Sequence, residues 1–92
     1  MNQINDISEM LKALSDPTRL TILKMLNEAE TMLCVNFLAN RLQITQSAVS
    51  QHLKILRQAN LVISERRGYF IHYKVNETQL KKVPEIIKSL FF

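Results

Sequence analysis

Apolar residues recur at helical spacing in four successive stretches of the first sixty residues. The first stretch covers about residues 4–14. The second follows Asp16 and Pro17, which suit the N-cap and the first position of a helix. The spacing predicts a third helix from about Leu33 to Leu42 and a fourth from about Gln46 to Ala59. The short connection between the last two predicts a helix-turn-helix.

Beyond Asn60, which suits the C-terminal end of the fourth helix, the apolar period changes from helical to two. Residues 61–66 and 70–75 are rich in β-branched and aromatic side chains, and Gly68 lies between them. This pattern predicts a β-hairpin wing over residues 61–75, with basic side chains near its tip.

The last predicted helix spans about residues 77–92. Asn76 is its expected N-cap, with Gln79 as the capping-box partner, and Pro84 should kink or divide it. The elements therefore predict a mainly α fold with a small β-hairpin, in the order α-α-α-α-β-β-α. This is a winged helix-turn-helix, formed as a single domain by residues 1–92.

The two faces of the fourth helix differ in their chemistry. Val49, Leu53 and Leu56 are spaced for burial on one side, whereas the opposite side is polar and lacks carboxylates. Gln and Ser side chains can read base edges in the major groove of DNA. The expected base-reading residues are Gln46, Ser47, Ser50, Gln51 and His52. A partly buried structural role remains an alternative for His52, since it lies beside Leu53.

Positive charge is concentrated around this helix. The net charge is +4, but residues 1–30 carry three basic and five acidic side chains, whereas residues 41–74 carry six basic side chains and one acidic. Basic side chains neutralise phosphates without reading sequence, and Arg residues on a wing suit a narrow minor groove. The expected backbone or minor-groove contacts are Arg41, Lys54, Arg57, Arg66 and Arg67. A solvated basic surface is the alternative for each. We expect Tyr69 and Phe70 to pack beneath the wing, the alternative being that they stack on the sugars of the DNA backbone.

The two ends of the chain carry more apolar surface than a small domain needs. A chain of 92 residues buries a modest fraction of its surface, so a partner subunit is a reasonable source of further stability. We expect a homodimer whose interface is formed by the terminal helices, about 4–14 and 77–92. Its expected residues are Ile4, Ile7, Leu11, Ile86, Ile87, Leu90 and Phe91. A two-fold dimer would bind a palindromic site on double-stranded DNA, with its reading helices roughly 34 Å apart.

Three segments resemble a known family. They are LKALSDPTRL at residues 11–20, QSAVSQHLKILR at 46–57 and ANLV at 59–62. In this order they resemble the ArsR/SmtB-type winged helix-turn-helix transcriptional repressors. The resemblance implies a homodimer that binds an operator near a promoter and releases it when an inducer binds.

The metal-binding motifs of that family are incomplete in this chain. Many members carry Cys-Val-Cys at the start of the third helix, where this sequence has Cys34, Val35 and Asn36. Others bind zinc-like ions through Asp and His on the last helix, and residues 76–92 contain neither. We therefore expect no metal and no other cofactor, and the inducer is unknown. Cys34 is either a small buried hydrophobic residue or a thiol switch, the second being an alternative mode of regulation.

Other functional classes find little support. The sequence has no Gly-rich phosphate loop and no HExxH pair, so we expect no enzymatic activity. No apolar run approaches the roughly 20 residues of a membrane span, and the first ten residues lack the regions of a secretory signal. A single cysteine suits a reducing compartment, so we expect a cytoplasmic protein without a membrane partner.

A protein-interaction module exposing Leu90, Phe91 and Phe92 is the alternative to DNA binding.

Overall fold

The helices and strands follow the predicted order closely. The structure is a computed structural model that describes residues 2–92. Its elements are α1 (Asn2–Leu14), α2 (Pro17–Glu28), β1 (Leu33–Cys34), α3 (Val35–Leu42), α4 (Gln46–Gln58), β2 (Val62–Arg67), β3 (Phe70–Val75) and α5 (Glu77–Phe91). The winged helix-turn-helix prediction is confirmed, with two differences at its edges: α1 begins earlier than expected, and a short strand precedes α3.

Local side-chain chemistry determines where the central helices begin and end. The Thr45 hydroxyl accepts a hydrogen bond from the Ala48 backbone N–H at 3.0 Å, which caps α4 as predicted. Gln43, with φ of 56°, ends α3 in a left-handed conformation, and Asn60 adopts the same conformation after α4 with φ of 60°. These two turns fix the directions in which the chain enters and leaves α4.

The prediction that the third helix begins at Leu33 is wrong, because Leu33 and Cys34 form a strand. This strand pairs antiparallel with β3, so the sheet has three strands in the order β1-β3-β2 rather than a lone hairpin. Leu33 lies opposite Tyr73, and Cys34 lies opposite His72. A two-residue strand is too short to show a period in the sequence, and only its pairing with a distant segment defines it.

Helix α5 continues through Pro84, so of the two expected effects, a kink or a division, the division is wrong and the kink stays a prediction. A proline inside a helix costs about 3 kcal/mol. Apolar side chains on both sides of Pro84, among them Leu80 and Leu90, pack against the core and offset this cost.

The capping box at the start of α5 forms only in part. Asn76 accepts from the Gln79 backbone N–H, as predicted. The Gln79 side chain instead donates to the Ala59 carbonyl at 3.2 Å, and the Asn76 N–H donates to the Leu61 carbonyl at 2.9 Å. The cap therefore ties α5 to the end of α4.

The core lies between α4 and the helices that precede it. Its fully buried large side chains come from α1 to α4 and the segment after α4: Met10, Ile22, Leu38, Val49, Leu53, Leu56 and Leu61. Three of these seven belong to α4, more than any other element contributes. The predicted apolar face of α4 is thus the centre of the core, and its polar face points away from it.

The charge of Asp16 stabilises the start of α2. Its carboxylate accepts from the Arg19 backbone N–H at 3.0 Å, which confirms the predicted N-cap. This hydrogen bond is the main reason why the pKa of Asp16 lies below its ordinary value of 3.8. Partial desolvation opposes the effect, and the charge of Arg19 adds to it.

We expect Leu53→Ala to lower the free energy of unfolding by about 2–5 kcal/mol, because it removes a fully buried side chain and leaves a cavity. The matched control is Leu20→Ala on α2, where the leucine is 50% exposed, and it should cost less than about 1 kcal/mol. Urea denaturation followed by circular dichroism measures both. Equal losses for the two variants would contradict the assignment of the core.

We expect Asp16 to make the folded chain less stable in acid. The folded pKa is depressed, so the stabilisation is fully present above pH 3.8 and is lost as pH falls through the lower folded value. Asp16→Asn keeps an N-cap side chain but cannot titrate, so its unfolding free energy should fall less steeply below about pH 4. Urea denaturation across a pH series measures the two slopes, and Asp16→Ala controls for loss of the cap. Parallel slopes for wild type and Asp16→Asn would contradict this role.

Candidate nucleic-acid interface

The polar face of α4 is open to solvent along its length. Val49, Leu53 and Leu56 hold the opposite face in the core, which fixes the rotation of the helix about its axis. The exposed polar and basic residues of α4 are Gln46, Ser47, Ser50, Gln51, Lys54, Arg57 and Gln58. They offer hydroxyl, amide and cationic groups without a carboxylate, which is the chemistry that base edges and phosphates require.

The Gln46 side chain forms a hydrogen bond across the turn of the helix-turn-helix. Its side-chain amide donates to the Asn36 side-chain oxygen at 2.6 Å, linking the first residue of α4 to α3. This bond uses one of the two amide N–H groups and leaves the other N–H as a donor and the amide oxygen as an acceptor. The side chain is thereby oriented before any ligand binds.

His52 differs from the other expected base-reading residues because it is half-buried and lies against α2. Its Nδ1 is 3.4 Å from Nη1 of Arg19 and 3.8 Å from a carboxylate oxygen of Asp16. These contacts suit the structural role considered for His52. A contact between His52 and DNA stays a prediction.

The five expected backbone contacts are all exposed, but two of them have partners within the chain. The Arg41 guanidinium lies 5.2 Å from the centre of the Phe37 ring. Arg67 donates to the Glu65 carboxylate at 2.8 Å, and a second of its nitrogens lies 3.5 Å from the sulfur of Met32. The acidic Glu65 is therefore neutralised locally. Lys54, Arg57 and Arg66 also present their side chains to solvent.

The tip of the wing carries aromatic residues that do not pack. Tyr69 is 95% exposed and Phe70 is 58% exposed, so the prediction that they pack beneath the wing is wrong. Gly68 adopts a left-handed φ of 65°, and the two-residue turn carries the tip beyond the core. The signal available in the sequence was the position of both aromatics directly after the only glycine.

Cys34 occupies the N-cap position of α3 on an edge strand and is half-buried. It lies opposite His72, whose Nδ1 is buried and has no hydrogen-bond partner among the described residues. Within residues 2–92, no three His, Cys, Asp or Glu side chains are grouped so that they could hold a metal ion. A thiol switch at Cys34 stays a prediction.

The terminal helices α1 and α5 pack together and leave an apolar groove of about 680 Å³ on their outer side. The predicted dimer residues that line it are Ile4, Ile7, Leu11, Ile87, Leu90 and Phe91. Ile7 is only 5% exposed and so belongs mainly to the core of the protomer, whereas Ile4, Leu11 and Phe91 are open to solvent. Ile86 is half-buried beside the core.

Across residues 2–92, none of the helices combines the length and the apolar character that crossing a bilayer requires.

Comparison with known proteins adds to this geometry. An uncharacterized HTH-type transcriptional regulator of Methanocaldococcus jannaschii is 33% identical, over 98% of this chain and 100% of the relative. The transcriptional repressor SdpR of Bacillus subtilis is 36% identical over 82% of this chain and 81% of its own length. An ArsR-like transcriptional regulator from Rhodococcus has a solved structure that matches 98% of this chain and 83% of its own, with a TM-score of 0.87 and 29% identity. The family model described as "Bacterial regulatory protein, arsR family" matches residues 16–64, so this chain belongs to the arsR family of transcriptional regulators.

Proposed function

We propose that this protein is a homodimeric, sequence-specific repressor that binds a palindromic operator on double-stranded DNA. In this proposal α4 lies in the major groove, and the wing formed by β2 and β3 lies along the flanking groove. The observation that carries the proposal is the exposed, carboxylate-free face of α4, held at a fixed rotation by an apolar face at the centre of the core.

The first turns of α4 are proposed to read bases. Ser47, Ser50 and Gln51 are exposed and follow directly on the turn that projects the helix. Gln51 can form two hydrogen bonds to adenine, and each Ser hydroxyl can donate or accept. Gln46 joins them with its amide oxygen and its second amide N–H, since one N–H already bonds to Asn36.

Basic residues on either side of this reading surface are proposed to hold the phosphates. Lys54 and Arg57 continue the exposed face of α4, and Arg41 extends it onto α3. Arg66 and Arg67 belong to the wing, where a narrow minor groove would attract them. Such contacts release counterions, so binding should weaken steeply with salt.

A second copy of the chain is the proposed occupant of the apolar groove between α1 and α5. The groove is lined by residues of both terminal helices, among them Leu11, which is 43% exposed. Exposed apolar surface of this kind is costly unless a partner covers it. A two-fold axis through the groove would present two α4 helices to successive turns of DNA.

Repression, rather than activation, is proposed from the relative that carries the name transcriptional repressor. The proposal includes a cytoplasmic location and no enzymatic activity, in keeping with relatives that are transcriptional regulators.

A protein-interaction module is the second candidate function. It is favoured by the exposed Phe91 and Phe92 at the end of α5. The two functions differ in their response to salt, because only phosphate neutralisation demands a steep dependence of DNA affinity on ionic strength.

We expect alanine at Ser50 or Gln51 to relax the preference of the protein at the base pair that the lost side chain reads, on an operator selected beforehand from random duplex DNA. A lost bidentate base contact, the kind that Gln51 can make, costs about 1–3 kcal/mol, or roughly 5- to 150-fold in affinity. Gln58→Ala, in the last turn of the same face, is the matched control and should keep the base preference. Mobility-shift assays on the operator and on single-base variants of it measure both quantities.

Unchanged selectivity in both Ser50→Ala and Gln51→Ala would show that α4 does not read the bases. Negligible affinity of the wild type for any duplex at low salt would instead exclude DNA binding and favour the interaction module.

We expect Leu11→Glu to convert a dimer into a monomer, since it places a charge in the proposed interface. Leu20→Glu is the matched control, because Leu20 is a similarly exposed leucine of α2 that does not line the groove. Sedimentation velocity at micromolar concentration should find wild type and Leu20→Glu dimeric and Leu11→Glu monomeric, all with unchanged helical circular dichroism. A monomeric wild type, or a dimeric Leu11→Glu, would argue against this interface.

A further inference from the structure

The Arg19 guanidinium joins three parts of the protein. Its Nε donates to the Ala13 carbonyl at 2.7 Å, and Nη2 lies 3.4 Å from the Lys12 carbonyl. Both carbonyls belong to the last turn of α1. On its other side, Nη1 lies 3.4 Å from Nδ1 of His52 on α4. A single side chain of α2 thus bridges the end of α1 and the middle of α4.

The chemistry of the three contacts is specific to arginine. Carbonyls in the last turn of a helix carry the negative end of its dipole, so a cation there is stabilising. The Lys12 carbonyl also accepts from the hydroxyl and the backbone N–H of Ser15, so the shorter bond to the Ala13 carbonyl is the main link between Arg19 and α1. The planar guanidinium directs several N–H groups in fixed directions, whereas a lysine ammonium is a single compact charge. The Arg19 guanidinium bonds to the Ala13 carbonyl of α1 and contacts His52 of α4 at the same time.

The role of His52 in this bridge follows from which of the two side chains can donate a hydrogen bond. A guanidinium has donors only, so in a hydrogen bond between these two side chains Nδ1 of His52 is the acceptor. The Asp16 carboxylate fixes the backbone of Arg19 and lies 3.8 Å from the same ring nitrogen. The contacts of His52 with α2 therefore use the atom that faces into the molecule.

The bridge lies where α1 and α4 are not fully packed. A groove of about 350 Å³ runs between them, and Arg19 lines it together with side chains of both helices, including Lys12, Ile55 and Gln58. Apolar contacts connect the two helices deeper in the core. At the surface of the junction, the Arg19–His52 bridge adds to these apolar contacts and to the Gln79 side chain of α5, which lies 3.5 Å from the Met10 sulfur and donates to the Ala59 carbonyl.

We infer that Arg19 and His52 are positioning residues, which fix the angle between the dimer helix α1 and the reading helix α4 and thereby set the spacing of operator half-sites. This inference rests on the proposed dimeric DNA-binding function. In such a dimer α1 is held near the two-fold axis. A change in the angle between α1 and α4 therefore changes the distance between the two α4 helices. A shift of one base pair moves a half-site by about 3.4 Å and rotates it around the DNA.

The experiment compares the selected operator with versions that have one base pair inserted or removed between the half-sites. Wild type should prefer the original spacing by at least about tenfold. Arg19→Gln should bind the original operator about tenfold more weakly and discriminate among the three spacings by no more than about threefold. Its base preference within each half-site and its dimer fraction should be unchanged, a pattern that general destabilisation does not produce.

The variants of His52 separate positioning from base reading. His52→Asn places an amide oxygen near the position of Nδ1, so it can accept from Arg19 and should keep the wild-type spacing preference. His52→Leu removes the acceptor and should behave like Arg19→Gln. Lys24→Gln, an exposed cation of the same helix as Arg19, is the control and should match wild type.

Wild-type spacing preference in Arg19→Gln would overturn the inference while leaving DNA binding intact. A change of base preference at a single position in both His52 variants would overturn it for His52 and make that residue a base reader. Should Arg19→Gln fail to fold, Arg19→Lys keeps the charge at the end of α1 and His52→Leu leaves α1 untouched, and both should lose spacing discrimination. Failure of wild type to bind any operator would refute the proposed function itself.

Discussion

The burial of one face of α4 is the constraint on which the rest of the structure depends. Its side chains Val49, Leu53 and Leu56 are wholly excluded from solvent, and α4 contributes more of the large, fully buried side chains than any other element. Removing such side chains costs several kcal/mol each, a large part of the stability of a small domain. The helix cannot rotate about its axis without losing this burial. The polar face of α4 is therefore presented in one orientation, before any partner binds.

The two ends of α4 add a second constraint, on direction rather than rotation. Gln43 and Asn60 both take left-handed backbone conformations, which non-glycine residues adopt at a cost and which short polar side chains tolerate best. Hydrogen bonds also stabilise the left-handed conformation of Asn60. Its carbonyl accepts from the Asn76 side chain, and the neighbouring Ala59 carbonyl accepts from the Gln79 side chain. Helix α5 thus secures the end of α4, and one of the proposed dimer helices supports the reading helix directly.

The local sequence pattern predicted most of the fold, because the helices are amphipathic and begin at residue types that are typical of helix caps. Pro17 with Asp16, and Thr45 ahead of α4, could be placed from the sequence alone. The features that were missed depend on contacts distant in sequence. Strand β1 exists only through pairing with β3, and Pro84 is tolerated only because of packing along α5. The exposed polar face of α4 was predictable, whereas the contact of His52 with Arg19, 33 residues away, was not.

The wing shows why charge counting along the sequence overstates some contacts. Arg67 was counted as a free cation, yet it pairs with Glu65 two positions earlier on the same strand. Both side chains are more than half exposed, and such pairs contribute about 0–1 kcal/mol. A phosphate close to Arg67 offers a stronger and less solvated partner than this pair does. In the proposed complex, exchange of Glu65 for a phosphate at Arg67 would cost little for this pair, while the Glu65 carboxylate would keep its charge on the same strand.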